Sequence, residues 1–144
     1  MERYKFCVAV HLFLIEDDKI LLGKRINTSY ADGMYGLVAG HVDENENIYK
    51  AMVREAKEEA NIDIKQEDLN IVQVMNMRGP IDEYIHYFFV VDKYSGNVKN
   101  MEEDKCEGLS WHGLDSIPSN TIDYIKYAIE KYLENKTMFT LYGY

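Results

Sequence analysis

Within the stretch "GHVDENENIYKAMVREAKEEANI", Gly40 to Ile62, the glutamates Glu55, Glu58 and Glu59 fall at spacing i, i+3 and i+4. No other feature of the chain restricts its fold and chemistry as tightly. In a helix all three carboxylates share one face, and each repelling pair costs roughly 0.2–0.5 kcal/mol. The surrounding residues predict a helix: Tyr49, Met52, Val53, Ala56 and Ala60 recur at its period as a buried stripe, with Lys50, Arg54 and Lys57 to one side. Asn45 and Asn47 are candidate caps, and Asn61, which tolerates the left-handed conformation, is a natural stop. Such a face is either solvated, its repulsion absorbed by water and nearby lysines, or it is the seat of a cation.

The rest of the chain supplies strands on both sides of this helix. "YKFCVAVHLFLI" and "KILLGKR" read as the arms of a hairpin across the turn "EDDK". "NTSYADGMYG" is a Gly-punctuated loop, and "YGLVAG" a short strand leading to Gly40. Beyond the helix, "IVQVMNM", "YIHYFFVVDKY" and "GLSWHGL" read as strands, joined by "RGPID", "SGN" and the polar stretch 97–105. "SNTIDYIKYAIEKYLEN" is a second amphipathic helix with Ser119 or Asn120 as its cap and Ile122, Ile125, Ala128, Ile129 and Leu133 as its apolar face. With no repeat or linker, the pattern predicts one domain, residues 1–144, of the α/β class: a mixed sheet packed between helices.

Composition narrows the function classes. Acidic residues number 25 against 16 basic ones, a formal charge of -9, and no basic run offsets it locally. A nucleic-acid polymer or an anionic membrane, each of which needs a positive footprint, is therefore not expected as a partner. The apolar run "FCVAVHLFLI" is far short of the ~20 residues that span a bilayer, and the pattern of a secretory leader is not seen before it, so a soluble protein without a secretory signal is the expectation. Cys7 and Cys106 have no metal or disulfide-framework spacing, so two reduced thiols in a cytoplasmic protein is the expectation. A small phosphorylated substrate remains possible if a bound cation bridges the two sets of negative charge.

The spacing Gly40, Glu46, Arg54-Glu55, Glu58-Glu59, Ile62 resembles the Nudix box, G-x5-E-x7-R-E-U-x-E-E-x-G-U, where U is apolar. "KILLGKR" before it and "EGLSWHGLDSIPSN" after it look like the flanking strand and the Trp-bearing strand and turn of MutT-like members. Two positions depart from the pattern. Asn61 stands where Gly is usual, a replacement the left-handed helix end tolerates, and Val38-Ala39 replaces a frequent Pro-Gly, which bears on the shape of that loop.

The resemblance implies an α/β/α sandwich, and a hydrolase that uses Mg²⁺ or Mn²⁺ to cleave a nucleoside diphosphate linked to a moiety X. Hard cations of this kind take carboxylate, carbonyl and water ligands. By the same resemblance Glu58 and Glu59 are ligands, Glu55 a ligand or the general base, and the Ala39 carbonyl a further ligand. Arg54 would orient a carboxylate, Glu46 would hold Arg54 or shape the loop, and Gly40 would permit close backbone approach. Glu102, with Glu103 and Glu107 as rivals, is the candidate for an extra catalytic carboxylate from the later loop. Arg25 could reach substrate phosphates or be simply exposed; Tyr35 and Trp111 could stack on a base or belong to the core, whereas Phe88 is read as core. His41, His86 and His112 have no spacing that supports zinc. "KCEGLSW" looks like members acting on nucleoside triphosphates, giving NMP and pyrophosphate; an ADP-ribose or nucleotide-sugar pyrophosphatase is the alternative. A Nudix-fold nucleotide sensor without turnover is the rival from another class. Either a monomer or a homodimer fits.

Overall fold

The structure, a computed structural model, describes residues 1–134 and 138–144. In β1 (Cys7–Phe13) Val10 and Leu12 point to one face, His11 and Phe13 to the other, and all four are buried. Both faces of this strand must therefore be covered. β2 (Ile15–Glu16) and β3 (Lys19–Arg25) make the expected hairpin across Asp17 and Asp18, whose φ values of 50° and 60° suit a tight turn with two left-handed residues.

The apolar run before that turn is not one arm of the hairpin. At Leu14 the chain leaves one sheet for another, since β1 pairs with other strands and only β2 pairs with β3. The predicted strand "YGLVAG" divides in the same way at Leu37, into β4 (Tyr35–Gly36) and β5 (Val38–His41). Apolar alternation runs straight through both crossings, so a period of two does not register them.

The chain continues with α1 (Ile48–Ala60), a 3₁₀ turn at Gln66–Asp68, β6 (Leu69–Arg78), β7 (Glu83–Val91), β8 (Cys106–Gly113), α2 (Asp123–Glu134) and β9 (Phe139–Tyr142). A five-stranded mixed sheet has the order β5-β1-β7-β6-β9, parallel at β1/β7 and β6/β9. In the second sheet β2, β4 and β8 all pair antiparallel with β3. α1 closes one core over Val10, Leu12, Val38 and Phe89; α2 closes the other over Phe13, Leu22, Met75 and Phe88. This is the mixed-sheet α/β/α sandwich, with Phe88 in the core as expected.

Three local expectations are corrected. α2 begins at Asp123, and Asn120 does not cap it but donates its side-chain amide to the Gly33 carbonyl at 3.1 Å. Leu133 lies on the exposed side of α2, 49% accessible, and Asn135, the last residue of the predicted helix, is outside the described residues. β9 was not anticipated: its four residues are too short for a periodic signal. A buried polar tie fixes it, since Gln73 donates to the Ala128 carbonyl of α2 and accepts from Thr140 Oγ1 of β9, each at 2.9 Å.

Candidate active site

α1 is set by its caps. Asn47 Oδ1 accepts from the Lys50 amide at 2.9 Å, and Asn61 ends the helix with φ 61°, its own N–H returned to the last turn. Asn45, with φ 64°, turns the preceding loop and is not the cap. The departure from Gly at position 61 is thus accommodated by the conformation Asn tolerates best. Ala51, Met52, Ala56 and Ala60 are the fully buried residues of the helix; Tyr49 and Val53 are only half-buried against the same core.

Arg54 organises the loop between β5 and α1. Its Nε and Nη2 donate to the two carboxylate oxygens of Glu46 at 2.8 and 3.0 Å, Nη1 to Glu55 at 2.7 Å and Glu58 at 3.2 Å, and Nη2 also to the His41 carbonyl at 3.1 Å. Glu46 is bidentate to this fork and also accepts the Asp43 amide at 3.0 Å. The Arg54 hydrogen bonds pull its carboxyl down to about 2, against a cost of burial. The guanidinium is correspondingly raised above its ordinary range, chiefly by Glu46. Pinned to the loop in this way, Arg54 holds Glu55 of α1 in one orientation.

Glu59 stands beside it under quite different conditions. Its side chain is half-buried, Oε2 accepts the Ala39 amide at 3.1 Å, and its carboxyl lies beside that of Glu55. Burial first, then the nearby Glu55 carboxyl, push its pKa well above the usual carboxylate range, and the Ala39 amide only partly offsets them. Two carboxylates in contact share a proton or share a cation. Gly40 makes the arrangement possible: a Cβ there would fall 2.6 Å from Glu55 Oε2 and closer still to the rest of that carboxyl group.

The opposite wall comes from the segment 97–106. Its Lys99 and Met101 amides donate to the Ala60 and Glu59 carbonyls at 3.0 and 3.1 Å, satisfying helix-end acceptors that α1 leaves open. Asn100 then accepts the Glu102 amide at 3.0 Å and donates to the Cys106 carbonyl at 2.7 Å, while the Lys105 and Cys106 amides return to the Glu102 carbonyl. Glu102 is therefore held at the head of a tight turn, and its carboxyl is raised by burial and then by the charges of Glu55, Asp104 and Glu58, with Lys105 opposing. Its two rivals point elsewhere. Glu107 pairs with Lys24 at 3.2 Å, and Glu103 lines a separate depression.

Between these walls lies a cleft of about 200 Å³ lined by Arg25, Ala39, Glu55, Glu59, Glu102 and Lys105. Of the residues singled out in the sequence, Glu46, Arg54, Glu55, Glu59, Ala39, Gly40, Glu102 and Arg25 come together in or directly behind this cleft. Glu58 stands apart, 55% exposed on the Arg54 side. Tyr35 and Trp111 do not line it. Tyr35 packs edge-on to His112 at 5.1 Å with its amide bonded to Asn120, and Trp111, opposite Leu21 in the β3/β8 register, packs on the α1 core. Lys105 and Asn100 were not singled out. They lie in a polar connection whose place is fixed by long-range bonds such as Ile26 N–H to the Lys105 carbonyl, 2.9 Å, which no local pattern announces.

These donors fit a hard divalent cation. Among the described residues no three acidic, His or Cys side chains close into a complete cage. Glu55 and Glu59 form a half-buried pair on the cleft wall, Glu55 held from behind by Arg54, and Glu102 lines the same cleft. Such an open, oxygen-only set suits Mg²⁺, which keeps several waters and takes few protein carboxylates. The histidines offer no alternative: His11 and His86 are buried against each other at 2.8 Å, and His41 meets the Tyr84 hydroxyl at 3.2 Å.

The fold is an α/β/α sandwich with helix carboxylates on one wall of a cleft whose lining also holds Arg25 and Lys105, charges that suit a cation and a phosphorylated ligand. The chain belongs to the Nudix hydrolase family: the NUDIX domain profile matches residues 5–132. It is 32% identical over 129 residues to a protein of Methanocaldococcus jannaschii named ADP-ribose pyrophosphatase, covering 90% of this chain and 74% of that one. It is 29% identical over 119 residues to the NAD-capped RNA hydrolase NudC of Photorhabdus laumondii and 31% identical over 114 residues to an 8-oxo-dGDP phosphatase of Homo sapiens. These two matches cover 81% and 78% of this chain but only 44% and 33% of the relatives. The crystal structure of a MutT NUDIX hydrolase from Burkholderia pseudomallei superposes with a TM-score of 0.80 at 26% identity, over 88% of this chain and 98% of that one.

Proposed function

We propose that this protein hydrolyses, with Mg²⁺ or Mn²⁺, the P–O–P bridge of a nucleoside diphosphate linked to a further group X. The observation that carries the reading is the half-buried Glu55–Glu59 pair, in one cleft with Glu102 and with Arg25 and Lys105. Glu55, Glu59 and the Ala39 carbonyl, with Glu58 at the outer edge, would hold the cation. When bound, it supplies charge neutralisation at the phosphoryl oxygens and acidifies water for in-line attack. Arg25 and Lys105 take the outer phosphate oxygens, fixing the line of attack. Water adds to one phosphorus, the bridging P–O bond breaks, and two phosphorylated fragments leave with release of a proton. Glu55 and Glu102 both border the cleft; Glu102, its pKa raised, is the better matched to take that proton near neutral pH.

Two readings of X rest on separate observations. ADP-ribose is favoured by the likeness to the Methanocaldococcus jannaschii pyrophosphatase, which runs over 90% of this chain. A nucleoside triphosphate, giving NMP and pyrophosphate, is the reading of "KCEGLSW", a segment that contributes Lys105 and Cys106 to the cleft. The test is product analysis on a panel of ADP-ribose, canonical and 8-oxo nucleotides and NAD, with Mg²⁺ and with chelator. Cleavage at a diphosphate bridge that chelator abolishes is expected. Tight nucleotide binding with no product on any member of the panel would replace the enzyme by a sensor, and undiminished turnover in chelator would remove the metal from the account.

A further inference from the structure

Arg25 is the last residue of β3, and the segment 26–34 that follows folds back onto it. The Gly33 amide donates to the Arg25 carbonyl at 2.7 Å and the Arg25 amide to the Met34 carbonyl at 2.9 Å, so the loop closes on the residue from which it starts. Its start is also tied to the turn that carries Lys105. The Ile26 amide donates to the Lys105 carbonyl at 2.9 Å, and the Asn27 side-chain amide to the Asp104 carbonyl at 3.0 Å. Within the loop Asn27, Ala31 and Gly33 have φ values of 56°, 53° and 77°. Asn and Gly tolerate this left-handed region, whereas alanine is strained there and is held by the bonds around it.

What the loop holds is the Arg25 side chain. Nε donates to the Tyr30 carbonyl at 3.2 Å, and the guanidinium carbon lies 5.6 Å from the centroid of the Tyr30 ring, within reach of cation–π attraction. The same carbonyl accepts Thr28 Oγ1 at 2.9 Å. Asp32, the acidic residue of the loop, accepts the Thr28 amide at 3.2 Å and forms no ion pair with Arg25. Among the described residues no carboxylate pairs with this arginine, although the chain has a net charge of -9, and Nη1 and Nη2 have no protein acceptor. Arg25 therefore lines the cleft with its terminal fork unspent. Two parallel N–H donors of this kind match a pair of phosphate oxygens.

We propose that Tyr30 is a positioning residue that holds Arg25 by its inner nitrogen and its guanidinium face, leaving the two terminal nitrogens for the substrate's diphosphate. The inference rests on the phosphate-binding role given to Arg25 above. A free arginine side chain loses rotamer freedom when a ligand immobilises it, and a holder already in place removes most of that loss from the binding step. Tyr30 suits this task because one residue supplies both the carbonyl and the ring. Its side chain is 53% exposed, so core packing is not what places it, and among the described residues its only ring contact is with Arg25.

The test is calorimetric titration of the full chain in Mg²⁺ with methylenediphosphonate. The P–C–P bridge of this probe resists hydrolysis, and it has no base or sugar on which Tyr30 could stack. Tyr30→Ala should weaken its binding roughly fivefold, whereas Tyr30→Phe, which keeps the ring, should stay within about twofold of the parent. In an Arg25→Ala background Tyr30→Ala should have no further effect, because its influence passes through the guanidinium. On the best substrate of the nucleotide panel the same loss should appear in KM with kcat largely kept, since the cleft carboxylates are untouched. Should no member of that panel be hydrolysed, the catalytic reading falls while the calorimetry still decides this one. Unaltered binding by Tyr30→Ala, an equal loss in Tyr30→Phe, or an equal loss with and without Arg25 would each overturn the proposal, as would a parent that does not bind the diphosphonate. If circular dichroism shows Tyr30→Ala unfolded, Tyr30→Leu, which keeps bulk without the ring, takes its place with the same expectation.

Discussion

Replacing Gly40 by alanine adds one methyl group at the point where β5 passes under the Glu55 carboxylate. That methyl would lie 2.6 Å from Glu55 Oε2, against the 3.4–4 Å of ordinary contact, so the carboxylate must retreat by about 1 Å. The obstacle is the far end of a flexible side chain, and the backbone at Gly40 is not left-handed. The variant should therefore fold. Moving Glu55 breaks its 2.7 Å bond to Arg54, a charge-assisted contact whose loss costs about 1–2 kcal/mol, while the easing of the Glu55–Glu59 contact returns part of that. Turnover should fall much further, by roughly 10²-fold, the usual consequence of a 1 Å displacement of a catalytic group. The assay is steady-state hydrolysis of the best substrate of the nucleotide panel in saturating Mg²⁺, paired with a denaturant midpoint. Normal turnover in a folded Gly40→Ala protein would show that the placement of Glu55 is immaterial to the chemistry.

Met52→Ala, which empties a fully buried site under α1, should lower stability by about 2–5 kcal/mol and leave turnover per folded molecule largely intact, measured by urea titration and active-site normalised rates. Glu46→Gln should flatten the acid side of the stability profile. The Glu46 pKa is lowered in the folded state to about 2, so its contribution, about 2 kcal/mol, is present above pH ~4.5 and drains away as pH falls toward 2. A parent and variant with parallel profiles between those limits would refute the Arg54 clamp. Glu102→Gln keeps the backbone bonds of its turn and should lower kcat by roughly 10²-fold or more with little change in melting temperature; Glu103→Gln, which faces the other depression, should leave kcat unchanged.

The helix with its carboxylates was legible because every signal for it is local: the 3.6-residue stripe, the Asn47 and Asn61 termini, and acidic spacings fixed by helix geometry. The two sheets were not, because Leu14 and Leu37 carry apolar alternation through the points where the chain changes sheet. Arg25 and Glu102 could be guessed but not placed. Glu102 reaches Glu59 through the docking of the 97–106 segment on the last carbonyls of α1, by backbone amides that any residue could supply, and Arg25 through the β3/β8 pairing that sets it opposite Cys106. Lys105 went unnoticed for the same reason, as did β9, whose position rests on its pairing with β6 and on Thr140 meeting Gln73 of that neighbouring strand. Trp111 and Tyr35 were open between base stacking and core, and the β3/β8 and β3/β4 registers, which are tertiary facts, turn both away from the cleft.

The central claim is that the α1 carboxylates form a cation site. Thermal unfolding of the parent and of a Glu58→Gln, Glu59→Gln double variant, each with chelator and with millimolar Mg²⁺ or Mn²⁺, tests it without recourse to any substrate. In chelator the double variant should melt at or above the parent, because a partly desolvated carboxylate and its repulsion with Glu55 have been removed. Metal at ~100 times its Kd should stabilise the parent by about 2.7 kcal/mol through linkage, and the double variant should show almost none of that gain. A metal-induced shift of equal size in both proteins would place the cation elsewhere and contradict the account.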